Sequence, residues 1–182
     1  MKETVLVIGG CRSGKSSHAQ RLAEQIPSER KFYVATCVPH DEEMHRRVAR
    51  HQQQRGRVWS TVEEPIHLPD IIRSHAEPGH LLLVDCLTLW ISNLMMEADD
   101  VDTILKHVRR LTDALTDAAC PVILVSNEVG GGIVPENRLA RLFRDAAGFT
   151  NQHVAACADR VIWTVAGIPV TIKGEDILSG LR

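Results

Sequence analysis

The sequence lacks the features that mark several large classes of protein. Tryptophan, tyrosine and phenylalanine make up only 4% of its 182 residues, which argues against a surface that stacks the bases of single-stranded nucleic acid. The formal net charge is −2, so neither a general nucleic-acid binder nor a membrane-surface binder is expected. No apolar run approaches the ~20 residues of a membrane-spanning helix, and no internal repeat or low-complexity tract interrupts the chain.

The cysteines form neither a disulfide framework nor a metal-binding pattern. They are odd in number, and no two form a CxxC pair: Cys11, Cys37, Cys86, Cys120 and Cys157. We expect reduced thiols in a cytosolic protein, mostly small buried side chains, and no zinc site. The apolar segment after Glu3 is too short for a signal peptide and has no cleavage site. These observations predict a cytoplasmic protein.

Apolar segments of strand length alternate with segments of helical periodicity. This alternation predicts a mostly parallel sheet with helices on both faces, a three-layer α/β sandwich, and the length suits a single domain over residues 1–182. Strands are predicted at Thr4–Ile8, Lys31–Thr36, Val58–Val62, His80–Asp85 and Pro121–Ser126, followed by an antiparallel hairpin of Arg160–Val165 and Val170–Lys173 around Ala166-Gly167-Ile168-Pro169. Helices are predicted at Lys15–Gln25, Asp41–Gln54, Leu87–Met96, Val101–Ala118, Pro135–Ala147 and Asn151–Ala158.

The first predicted strand runs into a glycine-rich segment that matches the P-loop pattern in full, Gly9-x-x-x-x-Gly14-Lys15-Ser16. Glycines let the backbone wrap closely round phosphates with its N–H groups pointing inward, and the following helix presents its positive N-terminal end. In this motif the lysine reaches the β- and γ-phosphates, and the serine hydroxyl can ligate Mg²⁺. The segment predicts a RecA-like P-loop NTPase fold whose phosphate site comprises Gly9, Gly10, Cys11, Arg12, Ser13, Gly14, Lys15 and Ser16.

An acidic residue ends another buried strand. In a parallel α/β sheet, ligands bind at the carboxyl ends of the strands, and Leu81-Leu82-Leu83-Val84-Asp85 places a carboxylate there. Asp85 could hold Mg²⁺ directly or through water. The alternative is that Asp85 caps the helix that begins at Leu87.

A single histidine stands out on the predicted helix Asp41–Gln54. His51 shares an apolar face with Met44 and Val48, which is typical of a core histidine with a satisfied hydrogen bond. Arg47 and Arg55 lie one turn to either side, and such a basic environment suits phosphates as well as a solvated face. Periodicity alone leaves the role of His51 open.

A second polar segment follows the strand Pro121–Ser126. Asn127 and Glu128 lie where a substrate or nucleotide contact is expected in this architecture, and Gly130, Gly131 and Gly132 come directly after them. Turn formation and capping of the next helix explain the same residues equally well. Three arginines recur every third residue beyond the loop, at Arg138, Arg141 and Arg144, and either bind phosphate, pair with acids or lie on the surface.

Taken together, several of these segments resemble one enzyme family, the bifunctional adenosylcobinamide kinase / adenosylcobinamide-phosphate guanylyltransferase of cobalamin biosynthesis. The resemblance extends over nearly the whole chain, in order and with similar spacing. The P-loop alone does not distinguish this family from others. The His51 segment, together with Asn127-Glu128-Val129-Gly130 and Gly132-Ile133-Val134-Pro135, is far more specific. The matching segments are Gly9-Gly10-x-Arg12-Ser13-Gly14-Lys15-Ser16, Ala35-Thr36, Asp41-x-Glu43-Met44, Arg47-x-x-x-His51, Trp59-x-Thr61-x-Glu63, Asp85-Cys86-Leu87-Thr88, Asn127-Glu128-Val129-Gly130, Gly132-Ile133-Val134-Pro135 and Gly167-x-Pro169.

The resemblance implies two reactions. The first phosphorylates the aminopropanol hydroxyl of adenosylcobinamide, with ATP or GTP as donor. The second transfers GMP from GTP to adenosylcobinamide phosphate through a histidine–GMP intermediate, for which the matching residue is His51. Family members form trimers, so a homotrimer is expected.

The resemblance also implies a set of site residues. Lys15 and His51 would be catalytic, and Ser16 and Asp85 would bind Mg²⁺. Cys37 stands where a serine is also expected, and Cys11 is a variable position whose backbone N–H does the binding. The nucleotide contacts would be Gly9 to Ser16, Ala35, Thr36, Cys37, Gln52, Gln53, Gln54, Arg55, Glu63 and Asp85.

Two other functions agree with parts of the sequence. One is another small-molecule P-loop kinase in which His51 is only structural. The other is a nucleotide-driven switch or a recombinase-like DNA motor. The P-loop and the acidic residue at the strand end are compatible with that function, whereas the negative net charge and the lack of a stripe of basic residues argue against it.

Overall fold

A seven-stranded sheet forms the centre of the described part of the protein. The computed structural model describes residues 2–37, 58–98 and 100–175. The strand order is β3-β2-β4-β5-β1-β6-β7, and every neighbouring pair is parallel except β6 and β7. The strands are β1 (Thr4–Gly9), β2 (Arg30–Ala35), β3 (Trp59–Glu63), β4 (His80–Asp85), β5 (Val122–Asn127), β6 (Arg160–Val165) and β7 (Ile168–Lys173).

Helices cover both faces of this sheet because its central strands are apolar on both sides. On one face, Val5 and Val7 of β1 pack against Leu22 of α1. On the other face, Leu6 belongs to a cluster with Trp90, which is 0% exposed. The helices are α1 (Lys15–Gln25), α2 (Leu68–His75), α3 (Leu87–Glu97), α4 (Val101–Asp117) and α5 (Arg138–Cys157). This is the predicted α/β architecture, and no helix within the described ranges is long and apolar enough to cross a membrane.

One predicted pair of helices is wrong. Pro135–Ala147 and Asn151–Ala158 are a single helix, α5, which begins at Arg138. Its N-cap is Asn137, whose side-chain oxygen accepts a hydrogen bond from Ala140 N at 3.2 Å, a cap that contributes about 1 kcal/mol. Glycine in mid-helix costs about 1 kcal/mol, but α5 continues through Gly148 because the buried side chains around it pack against the sheet and α4.

Smaller differences lie at the edges of the predicted elements. The strand bounds shift by about one residue, as is usual for hydrogen-bond definitions, and α2 (Leu68–His75) was not predicted. The terminal hairpin turns through only two residues, Ala166 and Gly167, both with positive φ (51° and 83°), the geometry that matches the strand twist in tight hairpins. Strand β7 therefore starts at Ile168. The predicted helix Asp41–Gln54 lies outside the described residues.

Candidate functional site

The glycine-rich loop connects the end of β1 to the start of α1. Gly14 is the N-cap of α1 with φ 91°, and Arg12 also has a positive φ of 56°. Ser13 N donates to Gly10 O at 3.3 Å, and His18 N donates to Gly14 O at 2.9 Å. The backbone therefore turns tightly and directs the N-terminal end of α1 at the loop, as an anion site requires.

The start of the loop lies against β6. A Cβ on Gly9 would be 2.5 Å from the backbone oxygen of Thr164 and 2.5 Å from Ser13 Oγ. Gly10, one residue further on, has nothing within 4 Å of such a Cβ. The first glycine is thus required by close backbone approach, whereas the second is free of steric contact.

The turn of the C-terminal hairpin supports the loop from the same side. Gly167 N donates a hydrogen bond to Ser13 O at 2.9 Å. A Cβ on Gly14 would lie 3.3 Å from Gly167 Cα. The hairpin turn and the loop are therefore in direct backbone contact, a connection that the sequence did not reveal.

The two side chains expected to act on phosphate and metal begin α1. Lys15 is half-buried, and its Nζ donates to Gly10 O at 3.2 Å, so the side chain lies back across the loop. Ser16 follows it and is half-buried, while Cys11 and Arg12 are exposed. A cation and a hydroxyl thus lie beside the loop amides.

Asp85 ends β4, two strands from β1 in the sheet. Its Oδ2 accepts a hydrogen bond from the Tyr33 hydroxyl at 2.7 Å, which orients the carboxylate. The N-cap of α3 is Cys86, not Asp85, so the helix-cap interpretation of Asp85 is wrong. A half-buried, oriented carboxylate at this sheet edge is compatible with a metal ligand.

Four of the predicted contact residues follow or end the strands next to Asp85. In the sheet register Ala35 pairs with both Asp85 and Glu63, which brings the ends of β2, β3 and β4 together. Thr36 is buried, and its Oγ1 donates to Cys86 O at 2.7 Å and accepts from Cys86 N at 2.9 Å. The Thr36 side chain therefore joins two strand ends. Cys37 follows it, half-buried.

A polar cluster behind these strand ends was missed in the sequence. Asn127 Nδ2 donates to Thr88 Oγ1 at 2.8 Å, and Thr88 Oγ1 is 2.8 Å from Cys86 Sγ. Burial, and then the neighbouring Asp85 charge, raises the pKa of the Cys86 thiol, which keeps the thiol protonated as a hydrogen-bonding group. Asn127 thus connects β5 to the start of α3.

Glu128 and two arginines hold the segment that follows β5. Glu128 Oε1 accepts from Gly130 N at 2.6 Å, as in turn formation. Arg141 donates to Pro135 O at 3.1 Å, and Arg144 donates to Ile133 O at 2.9 Å. Both guanidinium groups bind backbone carbonyls of the loop, while Arg138 is exposed.

A cleft of about 430 Å³ opens beside the loop. Its walls are Gly10–Ser13, part of the segment 128–132, and Trp163–Ala166 of β6 and the hairpin turn. Trp163 is 44% exposed. The cleft is therefore continuous with the loop and has an aromatic side chain in its wall.

The remaining predicted site residues are His51, Gln52, Gln53, Gln54 and Arg55. They lie outside the described residues. The structure thus brings together the loop, Asp85 and the ends of β2 and β3, and it describes nothing of the histidine segment.

A glycine loop between a strand and a helix, at the carboxyl edge of a mostly parallel sheet, defines the P-loop NTPase fold. Solved structures agree. One solved ATPase domain superposes with a TM-score of 0.52 at 12% identity, covering 89% of this chain and 69% of that one. The flagellar accessory protein FlaH from Methanocaldococcus jannaschii gives 0.51 at 14% identity, covering 96% and 79%. A KaiC-like protein from Pyrococcus horikoshii gives 0.50 at 16% identity, covering 89% and 70%.

Sequence comparison specifies the family within this fold. Residues 5–172 match the CobU model, cobinamide kinase / cobinamide phosphate guanyltransferase, and the chain belongs to that family. The bifunctional adenosylcobalamin biosynthesis protein CobP of Pseudomonas aeruginosa is 44% identical, covering 94% of this chain and 98% of the relative. The corresponding CobU proteins of Escherichia coli and Salmonella typhimurium are 41% and 42% identical, each covering 93% of this chain and 99% of the relative.

The two adjacent glycines at the start of the loop provide a matched pair of substitutions. We expect Gly9→Ala to weaken tripolyphosphate binding by about tenfold or more, equivalent to ~1.4 kcal/mol, because the new Cβ would meet Thr164 O at 2.5 Å. Gly10→Ala should bind within about threefold of the unmodified protein, since open space surrounds that position. Isothermal titration calorimetry measures both, and equal effects of the two substitutions would contradict the assignment.

Proposed function

We propose that this protein phosphorylates adenosylcobinamide, with ATP or GTP as donor, and then transfers GMP from GTP to adenosylcobinamide phosphate through a histidine–GMP intermediate. The observation that carries the proposal is the family match over residues 5–172, on a chain whose loop has the tight backbone and flanking Lys15 of a phosphate site. The likeness to the solved structures concerns the fold alone.

In the first reaction the acceptor is an alcohol and the donor a γ-phosphoryl group. The hydroxyl oxygen forms a bond to the γ-phosphorus, the bond from that phosphorus to the β,γ-bridging oxygen breaks with its electron pair left on the nucleoside diphosphate, and the hydroxyl proton passes to water. Catalysis of this transfer depends more on positioning the substrates and stabilising the charge on the transferred group than on covalent chemistry. The loop amides, the N-terminal end of α1 and Lys15, after its side chain leaves Gly10 O, would provide both.

The residues at this sheet edge fit Mg²⁺. The ion prefers hard oxygen ligands and usually keeps several waters, so one or two protein ligands suffice. Ser16 supplies a hydroxyl at the start of α1, and Asp85 supplies a carboxylate oriented by Tyr33. When bound, Mg²⁺ neutralises charge on the β- and γ-phosphates.

The second reaction assigns a covalent role to His51. An unprotonated imidazole nitrogen would attack the α-phosphorus of GTP, forming a P–N bond as pyrophosphate leaves. A phosphate oxygen of adenosylcobinamide phosphate would then attack the same phosphorus and break the P–N bond. The proposed contacts for this nucleotide are Gln52 to Arg55, together with Ala35, Thr36, Cys37, Glu63 and Asp85. The described members of this set lie on one side of the sheet edge.

The two chemistries are separable by substitution. His51→Ala should abolish guanylyl transfer and leave appreciable kinase activity, because phosphoryl transfer needs no intermediate on that side chain. Lys15→Ala should lower the kinase rate about a hundredfold, or ~3 kcal/mol of barrier. The measurement is labelling of the protein with α-labelled and γ-labelled GTP alongside steady-state kinase assays.

The label identifies the residue. It should enter the unmodified protein from α-labelled GTP only, be acid-labile and comparatively stable to alkali as a phosphoramidate is, and be released by adenosylcobinamide phosphate. Circular dichroism must first show that His51→Ala is folded. A folded His51→Ala protein that still takes up the label would assign the intermediate to another residue, such as His45.

A second substitution tests the metal ligand. Asp85→Asn should raise the Mg²⁺ concentration needed for half-maximal kinase activity, with little loss of thermal stability. Tyr33→Phe should raise it less, because the carboxylate remains but loses the hydrogen bond at 2.7 Å that orients it. An unchanged Mg²⁺ requirement in Asp85→Asn would show that Asp85 does not bind the metal.

The assembly and location of the protein are also proposals. The family resemblance supports a cytoplasmic homotrimer built from one domain over residues 1–182. Met96 of α3 and Leu139 of α5 are exposed apolar side chains, and they are surface that a subunit contact would cover. Light scattering of the purified protein should return three times the 20.2 kDa chain mass, and a monomeric mass would contradict the proposal.

A further inference from the structure

The cleft beside the loop has an aromatic wall that the proposed chemistry leaves without a role. Trp163 lies on β6, and in the register it pairs with Ile8, immediately before Gly9 of the loop. Indole rings are usually largely buried, yet Trp163 is 44% exposed, in contrast to fully buried Trp90. Val165, two residues further along the same strand face, is 43% exposed and also lines the cleft. The wall is thus a flat apolar surface next to the phosphate loop.

The sheet order gives the direction in which a bound nucleotide extends. Asp85 ends β4, two strands from β1, which is about 10 Å at ~4.8 Å per strand. A nucleotide whose β- and γ-phosphates face that carboxylate must place its α-phosphate and nucleoside on the other side of the loop. Strand β6 is the direct neighbour of β1 on that other side, and the cleft opens there.

We propose that this cleft binds the purine base of the phosphoryl donor in the kinase reaction, with the base stacked on Trp163. The proposal rests on the proposed function of the loop. A volume of about 430 Å³ falls within the roughly 300–1,000 Å³ of small-molecule sites. Arg12 and Glu128 both line the cleft. The guanidinium group donates hydrogen bonds and the carboxylate accepts them, which suits an uncharged purine ring that carries both acceptors and donors.

The alcohol acceptor and the GTP that donates GMP belong on the Asp85 side of the loop, opposite the cleft. The alcohol acceptor must reach the γ-phosphate, which lies towards Asp85, and a corrinoid is far larger than the cleft. Ala35 and Glu63, proposed contacts of the GTP that donates GMP, lie on β2 and β3, beyond β4 from the loop. The two reactions would therefore share the phosphate loop but place the nucleotide base on opposite sides of it.

Tryptophan fluorescence tests the subsite without any turnover. ATP should quench the emission of the protein, because a base stacked on the indole provides a quenching contact. Inorganic tripolyphosphate, which occupies the loop without a base, should not. Trp163→Phe should lose the ATP-dependent quenching, although Trp59 and Trp90 remain. The matched control is Ile172→Ala, whose side chain is 57% exposed on β7 and outside the cleft lining, and it should quench as the unmodified protein does.

Kinetics assign the subsite to one reaction. Trp163→Ala should raise KM for ATP in the kinase reaction about tenfold, the range measured for loss of a base–aromatic stack, with kcat nearly unchanged. Trp163→Phe should restore KM to within about threefold, because a phenyl ring still stacks. KM for GTP in guanylyl transfer should stay constant in both variants.

Three outcomes would overturn the proposal. The first is quenching that persists in Trp163→Phe, together with an unchanged KM for ATP in Trp163→Ala. The second is equal quenching by tripolyphosphate, which would report loop movement instead of stacking. The third is an equal rise of KM in both reactions, which would make the cleft a shared base site. Absence of kinase turnover in the unmodified protein would instead refute the proposed function, while the quenching experiment would still test the subsite.

Discussion

The close contact between the glycine loop and the last parallel strand is the constraint on which the site depends. Gly9 lies so near the backbone of Thr164 that any side chain would collide with it. On the same side, Gly167 N–H of the hairpin turn binds Ser13 O. Because the loop is held at both points by backbone groups, its own N–H groups keep a fixed direction, which is the preorganisation that phosphate binding requires. The antiparallel hairpin at the edge of the sheet therefore takes part in forming the site.

On the other side of the loop, side chains join the strand ends. Thr36 bonds to the backbone of Cys86, and Asn127 bonds to Thr88 at the start of α3. These contacts connect β2, β4 and β5 where Asp85 ends its strand. A satisfied buried polar network of this kind is strong in a low dielectric and costly to disturb. It places the Asp85 carboxylate relative to the loop more firmly than the strand end alone would.

The glycine loop has the cleft at β6 on one side and the ends of β2 and β3 on the other, and this arrangement offers a physical account of how one P-loop could serve two reactions. Transfer of a γ-phosphoryl group and attack on an α-phosphorus need different parts of a triphosphate at the reacting centre. A loop that binds phosphates through backbone amides can hold the triphosphate in either position, because amides recognise charge and not the identity of a particular phosphate. Under the proposed function, specificity then comes from the regions on either side, with the cleft at β6 to one side and the ends of β2 and β3 to the other.

The sequence by itself determined the phosphate loop, the strand–helix alternation and the strand-end position of Asp85, since each depends on residues adjacent in the chain. Apolar runs of strand length and the fixed spacing of glycines need no partner to be recognised. It did not determine the continuity of α5 through Gly148, because packing against the sheet and α4 outweighs the local cost of glycine. Nor could it indicate that Arg141 and Arg144 bind loop carbonyls, or that Trp163 lies beside the loop. The arginines lie only six and eleven residues from their carbonyl partners, but the path of the loop over the start of α5 decides those contacts. Trp163 is distant in the chain from the loop, and only the tertiary structure brings the two together, because strand order, not sequence separation, sets which strand ends become neighbours.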